Sequence, residues 1–378
     1  MKIIILQDYL RNGGTERQSV LLANAFAAAG QPTTLLTCRP GGAISGTVDA
    51  AVTRAVLQPV DTHQSWFAPG LVRFAAQLHP DVVLCMGRMA NCYAGRLQDR
   101  LPDTAVVATL RTGKKLPWLY RRSLRTVRHI IANSQASARH LIAGHAIPAQ
   151  KITVIHNALV FIADSGFSMQ GCERPPGVEH PLPRSRSKPS GLAVRAQSAA
   201  GPDTVVLLCV AMFRPEKNHQ GLLDIAAQLP GDCNWQLWLA GDGETRPACL
   251  ALAHRLGLAD RVKFLGFHPN PTPLYEAADI VVLASHAESL PNCLIEAQAH
   301  GLPVVAYDVG GVRECFIPGT TGWAVPIGNA TGFAEAVAAL FADGTGRDAI
   351  APVARAFAED TFAPTNQIRR YLDLFTQL

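Results

Sequence analysis

Glu288-Ser289-Leu290-Pro291-Asn292-Cys293-Leu294-Ile295-Glu296 runs on through Ala297 to Gly301-Leu302-Pro303-Val304-Val305-Ala306, and its local chemistry spells a loop, a short helix and a strand. Pro291 suits the first helical position, because its ring presets φ and its missing N–H would be an orphan there anyway. Gly301 suits the left-handed C′ position, and Pro303 prevents continuation. The reading predicts a helix over residues 291–300 that feeds an apolar strand at 304–306. Glu288 then lies on the loop ahead of the helix and Glu296 within it. Free N–H groups at such a helix start favour an anionic or hydroxyl-rich ligand. Two carboxylates at this spacing also fit an ordinary capped surface helix, so the neighbours decide.

Outward from this unit, short apolar runs alternate with helical patterns. Strands are expected near 2–6, 33–37, 82–85, 105–109, 129–132 and 152–155, with helices such as 16–29 and 67–78 between them. A second series follows, with strands near 205–211, 235–240, 262–265, 279–284, 304–306 and 322–325. This rhythm implies parallel β-α-β units. Between the two series, residues 164–201 carry Pro175-Pro176-Gly177, His180-Pro181-Leu182-Pro183 and Arg184-Ser185-Arg186-Ser187-Lys188-Pro189-Ser190-Gly191. So much Pro, Gly, Ser and Arg, with so few large apolar residues, reads as a flexible linker. The expected fold class is therefore α/β, two Rossmann-like domains facing across a cleft at their strand ends: residues 1–163, the linker 164–201, and residues 202–364. The last apolar-patterned stretch, from Ile368 to Leu378, reads as a helix.

A chain of 378 residues that is 48% hydrophobic and 17% charged can bury a sizeable core. Its formal charge of +5 is modest, and no finger, RNP or basic-region motif is present, so nucleic acid is not expected as a partner. Nine cysteines stand at 38, 85, 92, 172, 209, 233, 249, 293 and 315 without a C-x2-C pair, which fits reduced, packed thiols and a cytoplasmic location. The start, Met1-Lys2-Ile3-Ile4-Ile5-Leu6-Gln7-Asp8, is too short an apolar run for a signal peptide, and no segment has membrane-spanning length.

Candidate ligand groups sit at the ends of the expected strands. In the first half, Asn12-Gly13-Gly14 precedes Thr15-Glu16-Arg17-Gln18, where Thr15 and Gln18 have capping-box spacing. Gly13 and Gly14 let a phosphate approach the backbone; a tight turn explains them equally, and the stretch lacks a full dinucleotide fingerprint. In the second half, Arg214-Pro215-Glu216-Lys217-Asn218 follows a strand, and its two cations could neutralise a diphosphate. Leu239-Ala240-Gly241-Asp242-Gly243-Glu244 and Val262-Lys263-Phe264-Leu265-Gly266-Phe267 read as strand ends with turns, Gly266 and Phe267 bordering a nucleobase in the functional reading. Asp308-Val309-Gly310-Gly311-Val312-Arg313-Glu314 is another loop after a strand.

The order of these elements (Gly-Gly loop, R-P-E-K-N, A-G-D-G-E, F-L-G-F, E-S-L-P-N-C-L-I-E-A and V-G-G-V-R-E) resembles retaining glycosyltransferases of the GT-B fold, specifically family 4 (glycosyl transferases group 1). The resemblance implies that Glu288 contacts hydroxyls of a donor sugar and Glu296 the ribose of its nucleotide. It implies that Lys217 neutralises the leaving diphosphate, helped by backbone N–H groups at Gly13 and Gly14. The terminal helix, about 365–378, would cross back to the first domain. Pro291 has no N–H, so backbone donors in that turn would come from Ser289, Leu290 or Asn292. Two departures stand out. Where the family often has Gly-Arg-Leu, this chain has Ala211-Met212-Phe213, and Arg214 is assigned the missing cation; where relatives place a histidine near the sugar, this chain has Arg111 and Thr112.

The implied chemistry breaks a sugar–phosphate bond, leaving an oxocarbenium-like sugar and a more negative diphosphate that cations and oriented N–H groups stabilise. No D-x-D pair is present, so neither metal nor other cofactor is expected beyond the nucleotide-diphosphate sugar as substrate. The acceptor is read as a saccharide or lipid-linked molecule in cell-surface polysaccharide or glycolipid synthesis. In Lys114-Lys115-Leu116-Pro117-Trp118-Leu119-Tyr120-Arg121-Arg122-Ser123-Leu124-Arg125-Thr126-Val127-Arg128, the residues Arg121, Arg122, Arg125 and Arg128 share one helical face, and Tyr120, Leu124, Val127 and Ile131 another. That face suits the surface of an anionic membrane, or simply solvent over a packed helix. The alternatives are a GT-B-like nucleotide-sugar epimerase or phosphorylase, and a non-catalytic sugar-nucleotide-binding protein. Donor consumption separates them: transfer needs an acceptor, epimerisation does not, and a binding protein shows neither.

Overall fold

The structure, a computed structural model, describes residues 1–159, 188–342 and 344–378. The chain forms two compact units, residues 1–160 with 363–378, and residues 161–362.

In unit 1, strands β1 (Ile3–Gln7), β2 (Thr33–Thr37), β3 (Thr53–Val56), β4 (Val82–Cys85), β5 (Ala105–Leu110), β6 (His129–Ala132) and β7 (Ile152–Val154) alternate with α1 (Gly14–Ala28), α2 (Leu71–Leu78), α3 (Arg88–Arg100), α4 (Trp118–Thr126) and α5 (Gln135–His145). The strands form one parallel sheet in the order β3-β2-β1-β4-β5-β6-β7. Alternate residues of β1 serve opposite faces: Ile4 and Leu6 join one buried cluster, Ile3 and Ile5 another. β3 has no counterpart among the expected strands. As an edge strand it exposes most of its side chains, so it shows no apolar run.

Unit 2 opens with α6 (Pro189–Gln197) and continues through β8 (Val205–Val210), α7 (His219–Ala226), β9 (Trp235–Ala240), α8 (Arg246–Arg255), β10 (Val262–Gly266), α9 (Thr272–Ala277), β11 (Ile280–Leu283), α10 (Asn292–Ala299), β12 (Val304–Tyr307), β13 (Gly322–Val325), α11 (Ala330–Ala342) and α12 (Gly344–Phe362). Its parallel sheet has the order β10-β9-β8-β11-β12-β13. The expected linker needs correcting at its C-terminal end. Residues 164–187 lie outside the described residues, but 189–197 form helix α6, packed on α9. What composition could not show is charge pairing over long separations. Lys188 Nζ meets Glu276 at 2.8 Å, and the buried Arg195 lies 3.4 Å from Asp279 and donates to the Ala277 carbonyl.

The final helix, α13 (Pro364–Thr376), begins earlier than the apolar pattern suggests and belongs to unit 1. Tyr371 and Phe375 lie edge-on to Phe26 of α1, with centroids 6.0 and 5.8 Å away. Burying these aromatics against the first unit is what makes the helix part of it.

Candidate functional site

In unit 2 the strand order turns back at β8, which has β9 on one side and β11 on the other. The C-terminal ends of two neighbouring strands at such a switch point leave room for a ligand. Lys217 and Glu288, on the loops after β8 and β11, emerge there. After β8 the chain enters a 3-10 turn, Pro215–Lys217, and Asn218 follows in the left-handed conformation, φ 53°. Asn218 holds the turn in two ways: its Oδ1 accepts from the Gly221 N–H at 3.2 Å, capping α7, and its Nδ2 donates to the Ala284 carbonyl at 3.1 Å beyond β11. His286 N–H donates to the Glu216 carbonyl at 2.8 Å, fastening the two loops again. The result places Lys217 Nζ 2.5 Å from Glu288 Oε1.

The pair is shielded, with the Lys217 side chain 24% exposed and that of Glu288 8%. Burial works against the ammonium, but the Glu288 carboxylate outweighs it and the Lys217 pKa ends above its ordinary value. Lys217 is therefore fully charged at neutral pH. On the other side Gly310, at φ 56°, passes under Glu288, and Gly311 N–H donates to the Ser289 carbonyl at 3.0 Å. The V-G-G loop is thus the floor on which the E-S-L loop rests. Gly241 and Gly243 play the same part beneath the other loop, where a Cβ would stand 2.0 Å from the Ala211 carbonyl oxygen and 2.5 Å from that of Phe213.

Helix α10 starts one residue later than expected, with Pro291 as N-cap rather than first helical residue and with no side-chain cap. Gly301 adopts φ 75°, as its C′ position requires. Ser289 and Leu290 are buried on the loop before it, and Asn292 opens the helix. Glu296 Oε2 accepts from the hydroxyl of the buried Tyr275 at 2.7 Å, and Tyr275 in turn stacks on His300. Buried thiols border this region. Burial, with the Glu288 charge adding, pushes Cys209 up to about 12 and Cys293 well above its ordinary value, so neither is a thiolate nucleophile.

The remaining expected residues are arranged less tightly. Arg214 is exposed, and its guanidinium makes no hydrogen bond or ion pair among the described residues, so it is not part of the Lys217–Glu288 pair. Gly266 closes β10 at φ 75°, and Phe267 beyond it is 44% exposed. In unit 1, Gly13 is the N-cap of α1 and Gly14 its first residue. The Thr15–Gln18 capping box does not form, because no side chain caps the helix. Gln18 is buried and exchanges two hydrogen bonds with the Ala158 backbone, at 2.6 and 3.0 Å. Arg111 leaves the end of β5 but is held by Asn157 Oδ1 at 2.5 Å and by the hydroxyl of Tyr371 on α13. α4 ends at Thr126, so Arg128 is not on its basic face and Ile131 lies in β6. Arg128 instead binds the carbonyls of Leu378 and Pro102. Arg121, Arg122 and Arg125 are exposed, whereas Tyr120, Leu124 and Val127 are core.

Sequence reasoning missed Tyr275 and His219, and it gave Asn218 no specific task. Asn218 carries a local signal, since Asn tolerates the left-handed conformation and caps helices. Tyr275 carries none, because its partner lies 21 residues away. His219 is 2% exposed and lies flat on Phe213, centroids 4.0 Å apart. Burial, with the Lys217 charge adding, lowers its pKa to about 4.

Residues 12–159 match the family profile described as Glycosyltransferase Family 4, and residues 204–343 match that described as Glycosyl transferases group 1. Among curated proteins, the lipopolysaccharide core biosynthesis glycosyltransferase LpsE of Rhizobium meliloti is 36% identical over 157 residues, covering 42% of this chain and 45% of that protein. The D-inositol 3-phosphate glycosyltransferase of Nocardia farcinica is 31% identical over 225 residues, covering 57% and 45%. The matched stretches thus span less than half the length of these curated relatives. Among solved structures, HepE of Anabaena in complex with UDP-glucose has a TM-score of 0.79 at 23% identity, covering 100% of both chains. WaaG, a glycosyltransferase involved in lipopolysaccharide biosynthesis, has a TM-score of 0.73 at 19% identity, again covering 100% of both. At these identities the likeness is one of fold, and with the two parallel sheets it makes the architecture GT-B. The two profiles together take in most of both halves of the sequence, and the chain belongs to the group 1/family 4 glycosyltransferases.

Proposed function

We propose that this chain moves a hexose from a nucleotide-diphosphate sugar to a saccharide or lipid-linked acceptor, with retention of configuration and without a metal ion. The observation that carries the reading is the Lys217–Glu288 pair at the switch point of the unit 2 sheet. An ammonium kept charged in a shielded position stabilises the extra negative charge on a departing diphosphate. Arg214, exposed three residues before Lys217 and with no hydrogen-bond or ion-pair partner for its guanidinium among the described residues, supplies a second cation in the place of the family arginine. The α10 N-terminus adds oriented N–H groups, Glu288 receives sugar hydroxyls, and Glu296, steadied by Tyr275, receives the ribose. Within unit 1, Gly13 and Gly14 offer backbone N–H groups for phosphate at the start of α1, and Arg111 stands at the end of β5.

Support for a cell-surface role comes from the relatives, one of which is named for lipopolysaccharide core biosynthesis, and support for a uridine nucleotide donor from the UDP-glucose complex of HepE. No helix among the described residues is long and apolar enough to cross a membrane. Contact with an anionic membrane at the cytoplasmic face is assigned to α4, where Trp118 is 62% exposed and Leu119 48% beside Arg121, Arg122 and Arg125.

A thermal-shift panel of UDP-, GDP- and ADP-sugars tests the function. A ligand that binds only the folded state raises its stability by mass action. One nucleotide class should raise the melting temperature of the parent and not of Lys217→Ala; no response to any class would refute the reading.

A further inference from the structure

The chain between β3 and α2 is a built loop rather than a slack connection. Gln58, 1% exposed, lies inside it and donates through Nε2 to the carbonyls of Gln64 and Phe67, at 2.9 and 2.5 Å, while its Oε1 accepts from the Thr62 hydroxyl at 2.8 Å. Arg39 grips Asp61 as a fork, at 2.7 and 2.9 Å, and lies 4.1 Å over the Tyr9 ring. The Arg39 hydrogen bond holds the Asp61 carboxyl well below the usual carboxylate range. His63 takes the left-handed conformation, φ 60°, with its N–H on Asp61 Oδ1 at 2.9 Å. Tyr93 of α3 donates to the Trp66 carbonyl, and Arg11 Nη2 donates to Ser65 Oγ at 3.3 Å.

All this bonding holds two large aromatics in water. Trp66 is 56% exposed and Phe67 40%, edge to face with centroids 6.2 Å apart. A loop free to relax would turn such rings inward, but here the backbone carbonyls of both are bound from beneath. The loop also follows a strand C-terminus and touches, through Arg39 and Arg11, the segments after β2 and β1, on the edge of a parallel sheet where ligands bind.

We propose that residues 58–70 are a saccharide subsite, in which Trp66 and Phe67 stack against a pyranose ring of the acceptor; this rests on the reading of the chain as a sugar transferase. A pyranose presents a face of C–H groups and a rim of hydroxyls. The two rings take the face, and Ser65, His63 and the Arg11 guanidinium surround it with groups that bond hydroxyls. Because the backbone that carries the rings is already bound, little of its entropy is lost on binding. Charge separates this loop from a membrane anchor. Residues 58–70 contain no Lys or Arg, whereas residues 114–128 carry six.

The test is fluorine NMR of the full chain grown with 5-fluorotryptophan, whose five tryptophans give separate signals, with Trp66 identified through Trp66→Phe. Delipidated lipopolysaccharide core oligosaccharide and phosphatidylglycerol vesicles are titrated in parallel. The oligosaccharide should shift the Trp66 signal saturably and leave that of Trp118 in place, and Trp66→Ala should weaken oligosaccharide binding by at least about tenfold. Both rings are exposed, so these variants keep the fold. A Trp66 signal that moves with vesicles but not with oligosaccharide, or with neither, overturns the proposal. The nucleotide-sugar panel judges the transferase reading separately. A saccharide response without nucleotide-sugar stabilisation removes that reading and keeps the subsite, and the converse removes the subsite alone.

Discussion

Gly310 lies so close beneath Glu288 that a Cβ on it would stand 1.9 Å from the Glu288 carbonyl oxygen, at a φ of 56° that side chains already disfavour. The contact is backbone on backbone, so no rotamer change relieves it. Gly310→Ala must therefore lift the E-S-L loop or flatten the V-G-G turn, and either takes Glu288 from Lys217. The substitution is expected to cost about 1–3 kcal/mol of stability and to lower donor affinity at least about tenfold. Thermal melts and calorimetric titration with the stabilising nucleotide sugar measure both, and parental values would disprove the account.

Lys217→Ala removes the charge that faces the departing diphosphate. If Lys217 acts as a preorganised electrostatic group, turnover should fall by roughly 10²–10³. Glu288→Gln keeps the shape and breaks the ion pair; the double variant closes a cycle in which a coupling of about 0.5–3 kcal/mol is expected for groups in contact. The sign with pH follows from the raised Lys217 pKa: the pair contributes fully below 10.5, the ordinary lysine value, and its contribution is lost as pH rises through the folded-state value above that. A null cycle, with additive effects, would show that the short contact carries no energy.

How much of this is legible in the sequence follows from separation along the chain. Nearly every strand announced itself as an apolar run because parallel strands are buried on both faces, and β3, exposed at the edge, did not. Gly301 and the loops bearing Lys217 and Glu288 were readable because turn chemistry is local. Helix α6 was not, because its stability comes from Glu276 and Asp279, more than 80 residues later, rather than from its own composition. Gln18 misled for the same reason: its spacing from Thr15 fits a cap, but its partner is Ala158. The tie between Arg111 and Tyr371 spans 260 residues and has no sequence signature.

His219 gives unit 2 a sensitivity to acid. With its pKa lowered to about 4 against an ordinary 6.5, the unfolded chain binds a proton more readily between those values. Its contribution is complete above pH 6.5 and is lost as pH falls toward 4. The full shift corresponds to roughly 3 kcal/mol. His219→Asn, which cannot protonate, should flatten the stability profile over this window relative to the parent. His129, His145 and His300, also lowered by burial, remain in both proteins, so the difference isolates His219. Parallel denaturation profiles from pH 4 to 6.5 would remove His219 as the cause.

If Lys217, Arg214 and backbone N–H groups together meet the diphosphate, no divalent ion is required for the bond to break. Turnover should then survive EDTA and gain less than about twofold from added Mg²⁺ or Mn²⁺. Activity that disappears on chelation and returns with one metal would replace this arrangement with a metal-assisted one.

The exposed side of α4 separates membrane contact from ordinary solvation. Its inner residues, Tyr120 and Leu124, are core, so outward substitutions leave the packing intact. Arg122 lies 5.9 Å over the Trp118 ring, setting a cation beside an exposed aromatic as lipid interfaces favour. Each cation near an anionic surface is worth about 1 kcal/mol. Charge reversal at Arg121, Arg122 and Arg125 should therefore reduce binding to phosphatidylglycerol vesicles by several powers of ten, more at low salt than at high. Arg128 must be spared, because it holds the carbonyls of Leu378 and Pro102 and its loss would be read through folding instead. Sedimentation with vesicles, alongside a melt to confirm the fold, decides it. Failure of the unmodified chain to sediment would end the membrane assignment.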